Sequence, residues 1–120
     1  MSERNALVVD DHPTNRLLAC ALLKKLGWKT SEAASGEAAL TLAGAVCFDL
    51  VLLDISMPGM PGEEACSQLR QTAHGKNMRI LAYTAHAYPE DRERFLAAGF
   101  DDILVKPISR QRLEALITSI

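Results

Sequence analysis

The 120-residue chain has no apolar run near the roughly 18 residues that a membrane span needs; runs such as residues 50–53 fall far short. Its first residues hold no apolar core of the kind found in secretory signals. It also lacks any block of like charge: 13 Lys+Arg stand against 15 Asp+Glu, a formal net charge of -2. That balance excludes direct, non-specific binding to nucleic acid or an anionic membrane. Three cysteines, Cys20, Cys47 and Cys66, are an odd number without metal-type spacing, which excludes a disulfide framework and a zinc site. They are expected as small apolar packing residues in a reducing compartment. There is no internal repeat, low-complexity tract or linker, and the glycines at 59 and 62 lack the Gly-Lys-Ser/Thr ending of a phosphate loop. A single soluble, cytoplasmic domain over residues 1–120 is the expectation. The last helical segment runs to residue 120, the pattern of a domain cut from a longer protein.

What is present is a regular alternation. With 48% hydrophobic and 23% charged residues the composition is that of an ordinary globular domain. Continuous apolar runs at 6–9, 49–53, 79–83 and 102–105 fit strands buried on both faces, and a weaker strand is expected at 28–33. Helical spacing fills 13–26, 36–46, 62–73, 89–98 and 110–120. Pro13 and Pro89 suit first helical turns, Gly27 and Gly99 suit C-terminal caps, and Leu18, Leu22 and Leu26 would form one apolar stripe. Strand then helix, five times, predicts an α/β fold: a doubly wound parallel sheet with right-handed crossovers and helices on both faces.

In such a sheet ligands bind beyond the carboxyl ends of the strands. Those ends carry Asp10-Asp11, Asp54, Thr84 and Lys106. Two carboxylates about 4 Å apart repel by about 4 kcal/mol at an effective dielectric of 20, so three in one cleft require a cation or protonation. Lys106 alone does not balance them. A hard divalent ion such as Mg2+ does, and it leaves room for phosphate oxygens. Asp54 then becomes a candidate nucleophile forming an aspartyl phosphate. Lys106 would neutralise the transferring group and Thr84 would donate a hydrogen bond to it.

The segments Val8-Val9-Asp10-Asp11, Asp54-Ile55-Ser56-Met57-Pro58-Gly59-Met60-Pro61-Gly62, Ala82-Tyr83-Thr84-Ala85 and Lys106-Pro107 together resemble the receiver domain of two-component response regulators, across essentially the whole chain. The resemblance implies a flavodoxin-like (βα)5 sheet of strand order 2-1-3-4-5 and a Lys106-Pro107 bond that is commonly cis. It implies Asp54 as phosphoacceptor, with Asp11, Asp54 and the Ser56 backbone carbonyl holding Mg2+ and Asp10 assisting through the ion's water shell. Self-catalysed phosphotransfer and autodephosphorylation would follow. The stretch Asp10-Asp11-His12-Pro13-Thr14-Asn15-Arg16 further resembles receivers fused to hybrid sensor histidine kinases. That implies two partners, a histidine kinase core as donor and a histidine-phosphotransfer domain as acceptor, with Leu17 in a docking patch. A stand-alone single-domain regulator acting by protein contact is the alternative. Oligomeric state is left open.

One departure concerns Ile103, which stands where many receivers carry a switch tyrosine or phenylalanine. Isoleucine has neither ring nor hydroxyl, so a relay role suits the chain better than an aromatic readout. By the same resemblance Ser56 and His86 flank the water path to the acyl phosphate and tune its lifetime. A transition-metal site on His12 and His86 is not expected, because no third ligand stands at motif spacing. His74 reads as a solvated loop residue and Glu90–Arg94 as a surface pair. A phosphatase of haloacid-dehalogenase type would want an acid where Ser56 stands. A flavodoxin-type flavin site would want Ser/Thr where Asp10-Asp11 would repel phosphate.

Overall fold

The computed structural model describes residues 4–72, 77–85, 89–106 and 108–117. Five strands, β1 (Asn5–Val9), β2 (Lys29–Ala33), β3 (Leu50–Asp54), β4 (Arg79–Thr84) and β5 (Asp102–Val105), alternate with five helices. These are α1 (Pro13–Lys25), α2 (Gly36–Ala45), α3 (Gly62–Arg70), α4 (Pro89–Ala98) and α5 (Arg110–Ile117). The strands form one parallel sheet in the order β2-β1-β3-β4-β5. This is the flavodoxin-like doubly wound arrangement.

Burial explains the apolar runs. Every residue of β3 is buried and β1 and β4 are buried after their first residue, whereas β2, at the edge, buries only Ala33. Alternate side chains enter opposite layers. On one face Ala6, Val8, Leu50, Leu52, Leu81 and Leu104 meet α1 and α5 through Ala19, Leu23, Leu113 and Leu116. On the other, Leu7, Val9, Val51, Leu53, Ile80 and Ile103 meet α2, α3 and α4 through Ala39, Ala65, Leu69 and Phe95.

The caps follow the sequence. Pro13 occupies the first turn of α1, and Gly27 and Gly99 adopt φ of +92° and +112°, a region L side chains rarely enter. The α1 stripe differs from expectation. Ala19, Cys20 and Leu23 face the sheet, Leu22 and Leu26 are only partly buried, and Leu18 is exposed beside Leu17. Small residues win the sheet-facing positions because they let the helix approach closely. Cys20 and Cys66 are buried, but Cys47 is exposed, contrary to its expected packing role. Arg94 reaches Glu63 on α3 (3.2 Å) and Asp91 (3.4 Å) in place of the expected Glu90. Among the described residues no helix is long and apolar enough to cross a membrane.

Candidate functional site

Register brings the polar strand ends together. Val9 pairs with Leu53, so Asp10, the residue after β1, arrives beside Asp54, the last residue of β3. Asp54 pairs with Tyr83, and Thr84 with Val105, which sets Thr84 and then Lys106 along the same carboxyl edge. The neighbours β1 and β3 are where strand order reverses, so their helices leave to opposite faces and a crevice opens between them. The Asp10 amide is tied to Ala33 O (3.1 Å) and the Lys106 amide to Thr84 O (2.7 Å).

The charges are close. Lys106 Nζ lies 3.0 Å from Asp10 Oδ2 and 3.4 Å from Asp54 Oδ2. Asp10 Oδ1 accepts from the His12 amide (2.9 Å), and Asp54 Oδ1 accepts from the Ser56 amide (3.0 Å). Asp10 is completely buried and Asp54 and Thr84 nearly so. Burial alone would raise the Asp10 carboxyl. The His12 amide, the Lys106 ammonium and a hydrogen bond shared with Asp54 outweigh it and hold Asp10 below the usual carboxylate value. At Asp54 burial dominates, and with the Asp10 charge it lifts the carboxyl above the usual value despite the Ser56 amide and Lys106. Tyr83, whose ring lies under Lys106 Nζ at 4.7 Å, is pushed up to about 12 by burial and the two carboxylates.

These residues fit a divalent cation. Asp11 Oδ1 is buried and accepts no hydrogen bond, an arrangement costly unless something positive completes it. One ligand atom from each of Asp10, Asp11, His12 and Asp54 lies within 4.8 Å of the others. The donor set is rich in carboxylate oxygen, as a hard ion prefers.

The structure thus assembles Asp10, Asp11, Asp54, Thr84 and Lys106 at one edge, with the exposed Ser56 anchoring Asp54 through its amide. Ile103 is buried in the layer facing α2, α3 and α4. His86, His74 and Pro107 lie outside the described residues. The sequence reading missed two supports. Arg16 Nη1 donates to Asp10 O (2.6 Å) while its Nε holds Glu32 on β2 (3.1 Å), pinning the β1–α1 turn. Tyr83 supplies the floor beneath Lys106. Strand alternation from Thr84 would have found Tyr83; nothing local marks Arg16.

The loop from Asp54 to α3 is shaped by a close approach. A Cβ at Gly62 would lie 2.7 Å from Asp54 O and 2.8 Å from Ile55 Cα, so only glycine lets α3 start against the backbone that carries Asp54.

Comparison with known proteins agrees with this architecture. Sensor histidine kinase GacS of Pseudomonas protegens is 40% identical over 114 residues, covering 92% of this chain and 12% of that protein. Histidine-protein kinase BarA of Escherichia coli is 40% identical over 111 residues, with the same coverage. The chain therefore spans about an eighth of the length of these curated relatives. Chemotaxis protein CheY4 of Vibrio cholerae superposes with a TM-score of 0.93 at 29% identity, covering 99% of each chain. The receiver domain of a Pseudomonas aeruginosa sensor histidine kinase, crystallised with magnesium coordinated in its active-site cleft, gives 0.88 at 32% identity, covering 98% of this chain and 97% of that one. Residues 6–118 match the family model for the response regulator receiver domain. That match runs from the first core strand through the last helix and takes in the whole carboxyl edge, so the chain belongs to the response regulator receiver domain family.

Proposed function

We propose that Asp54 accepts a phosphoryl group from a phosphohistidine and either passes it to a histidine-phosphotransfer domain or loses it slowly to water. The observation that carries this reading is the buried Asp54 carboxylate beside Asp10, with Lys106 Nζ at 3.4 Å and, in the same cleft, a buried Asp11 oxygen that accepts no hydrogen bond. Asp11, Asp54 and the Ser56 carbonyl would hold Mg2+, with Asp10 assisting through its water shell. What Mg2+ supplies when bound is positive charge against the carboxylates and the phosphoryl oxygens.

This chain's residues do the rest. An Asp54 oxygen attacks phosphorus, the P–N bond breaks, and its electron pair returns to the donor imidazole. Lys106 compensates phosphoryl charge and Thr84 donates a hydrogen bond to a phosphoryl oxygen. The Ser56 amide holds the second Asp54 oxygen so that the carboxylate presents one face. Onward transfer is the same step reversed. Ser56 and His86 are proposed to govern access of the hydrolytic water, and Ile103 to limit any aromatic readout of the phosphorylated state.

The similarity to GacS and BarA supports a place within a hybrid histidine kinase, with a kinase core and a phosphotransfer domain as partners. In this reading residues 1–120 act as one receiver domain. Cytoplasmic residence belongs to the same reading, since the buried thiols Cys20 and Cys66 suit a reducing compartment. The second reading is a stand-alone regulator acting by protein contact, in keeping with the likeness in fold to chemotaxis protein CheY4. Label transfer separates them. A relay receiver takes label from a phosphorylated kinase core and delivers it to a phosphotransfer domain within minutes; label that is accepted but released only to water points to the stand-alone reading.

A further inference from the structure

Tyr83 stands in the sheet between Asp54 and the strand that leads to Lys106. In register it pairs with Asp54 on β3 and with Leu104 on β5, two residues before Lys106. Its side chain enters the layer of α1 and α5 with Leu81 and Leu104 and is buried there. The ring face lies under Lys106 Nζ, 4.7 Å from the centroid. That is inside the distance of about 6 Å over which an aromatic face attracts a cation, and the attraction is stronger where water is excluded.

A lysine needs such a seat more than an arginine would, because its stem is flexible and its ammonium is a point charge without a fixed fork of donors. Asp10 takes the shorter contact, 3.0 Å against 3.4 Å to Asp54 Oδ2, and so draws the ammonium away from the place where phosphoryl charge would arrive. The ring opposes that drift. It carries no net charge, so it holds the cation without adding to the crowd of carboxylates. An aliphatic side chain at this position would fill the layer but offer the cation nothing. On the reading of Asp54 as phosphoacceptor, on which this depends, we infer that Tyr83 is a positioning residue for the transfer: its ring face holds the Lys106 ammonium within reach of Asp54, so that the compensating charge is in place before the phosphoryl group arrives. The face of the ring does this, and the phenol hydroxyl has no part in it.

The test is the rate of phosphoryl uptake from phosphoramidate, whose P–N bond breaks to release ammonia, by the whole chain with Mg2+ present. Wild type is compared with Tyr83→Phe, Tyr83→Leu and a chain carrying pentafluorophenylalanine at position 83, which keeps the shape of the ring and reverses the charge of its face. The fluorinated ring packs as an ordinary one does, so it decides the matter even where Tyr83→Leu is unstable. NMR of the Lys106 methylene protons reads the seat without any phosphoryl step, because a ring beneath them moves their resonances upfield. The expected result is an upfield shift in wild type and Tyr83→Phe that Tyr83→Leu loses. Uptake in Tyr83→Phe should stay within about twofold of wild type and fall at least about fivefold in both Tyr83→Leu and the fluorinated chain. A fluorinated chain as fast as Tyr83→Phe would leave the ring a packing role alone and overturn the inference. A slow Tyr83→Phe, a Tyr83→Leu as fast as wild type, or Lys106 protons without the shift would overturn it too. A wild type that shows the shift but takes no phosphoryl group would sink the reading of Asp54, and the role of Tyr83 with it.

Discussion

Asp54 is 2% exposed and has Lys106 Nζ at 3.4 Å, while Asp10 beside it is fully buried and takes the closer 3.0 Å contact. The single ammonium is therefore spent mainly on Asp10, and burial leaves Asp54 raised. A raised carboxyl contributes stability only where it is protonated. As pH rises past the unfolded-chain value near 4, the unfolded state ionises first and the folded state loses ground. Asp10, lowered, works in the opposite sense: its contribution is present above that value and is lost as pH falls through its folded value. Asp54→Asn should therefore stabilise the metal-free protein at pH 7 by about 1–2 kcal/mol, an ordinary size for a single substitution. The asparagine oxygen can still accept from Ser56. Denaturant melts across pH check this: the gain should shrink below pH 4 or so, and saturating Mg2+ should shrink it by stabilising only the wild-type carboxylate. A gain that persists at low pH would contradict the electrostatic account. Asp54, Thr84 and Lys106 were legible in the sequence because each closes an apolar run. The proton balance between Asp10 and Asp54 was not, since it depends on which carboxylate Lys106 approaches.

Among the elements, the β1–α1 turn carries most of the site and is held by Arg16, which bonds Asp10 O and Glu32 at once. Removing that side chain frees the Asp10 carbonyl and the turn behind it. Arg16→Ala should cost about 1–3 kcal/mol of stability, the scale for hydrogen bonds from a charged donor. It should also weaken Mg2+ binding several-fold, whereas Glu32→Gln should have a smaller effect because the bond to Asp10 O survives. Calorimetry with Mg2+ on both variants decides it, and a several-fold loss in Glu32→Gln with none in Arg16→Ala would refute the arrangement. Neither partner was legible, because Arg16 and Glu32 meet only once β2 is laid beside β1. The α1 face was misjudged for a related reason. Helical spacing marks Leu18, Leu22 and Leu26, but the sheet selects the smaller Ala19 and Cys20 with Leu23, and turns Leu18 outward. The other helices and the buried strands followed their patterns, since burial on both faces writes itself as uninterrupted apolar runs.

At the scale of the molecule, the five βα units, the doubly wound sheet and the gathering of polar strand ends were all readable in order. Of the surface, the pattern set Leu17 outside the apolar stripe but counted Leu18 within it. Leu17 and Leu18 lie side by side on α1 at 68% and 53% exposed, near the cleft end of the helix. A paired apolar projection there suits the partner that, in the proposed relay, brings its histidine to Asp54. Leu17→Asp should slow phosphoryl transfer with a histidine-phosphotransfer domain about tenfold or more, while uptake from a small phosphodonor stays within about twofold, since only the first depends on docking. Equal rates with the protein partner would remove α1 from the docking surface. The account as a whole turns on one covalent event at Asp54. Intact mass after incubation with a small-molecule phosphodonor, with and without Mg2+ and beside Asp54→Asn, measures it directly. A single phosphoryl adduct that requires both Mg2+ and Asp54 is predicted; an adduct that survives in Asp54→Asn, or none on a folded, Mg2+-binding wild type, would contradict it.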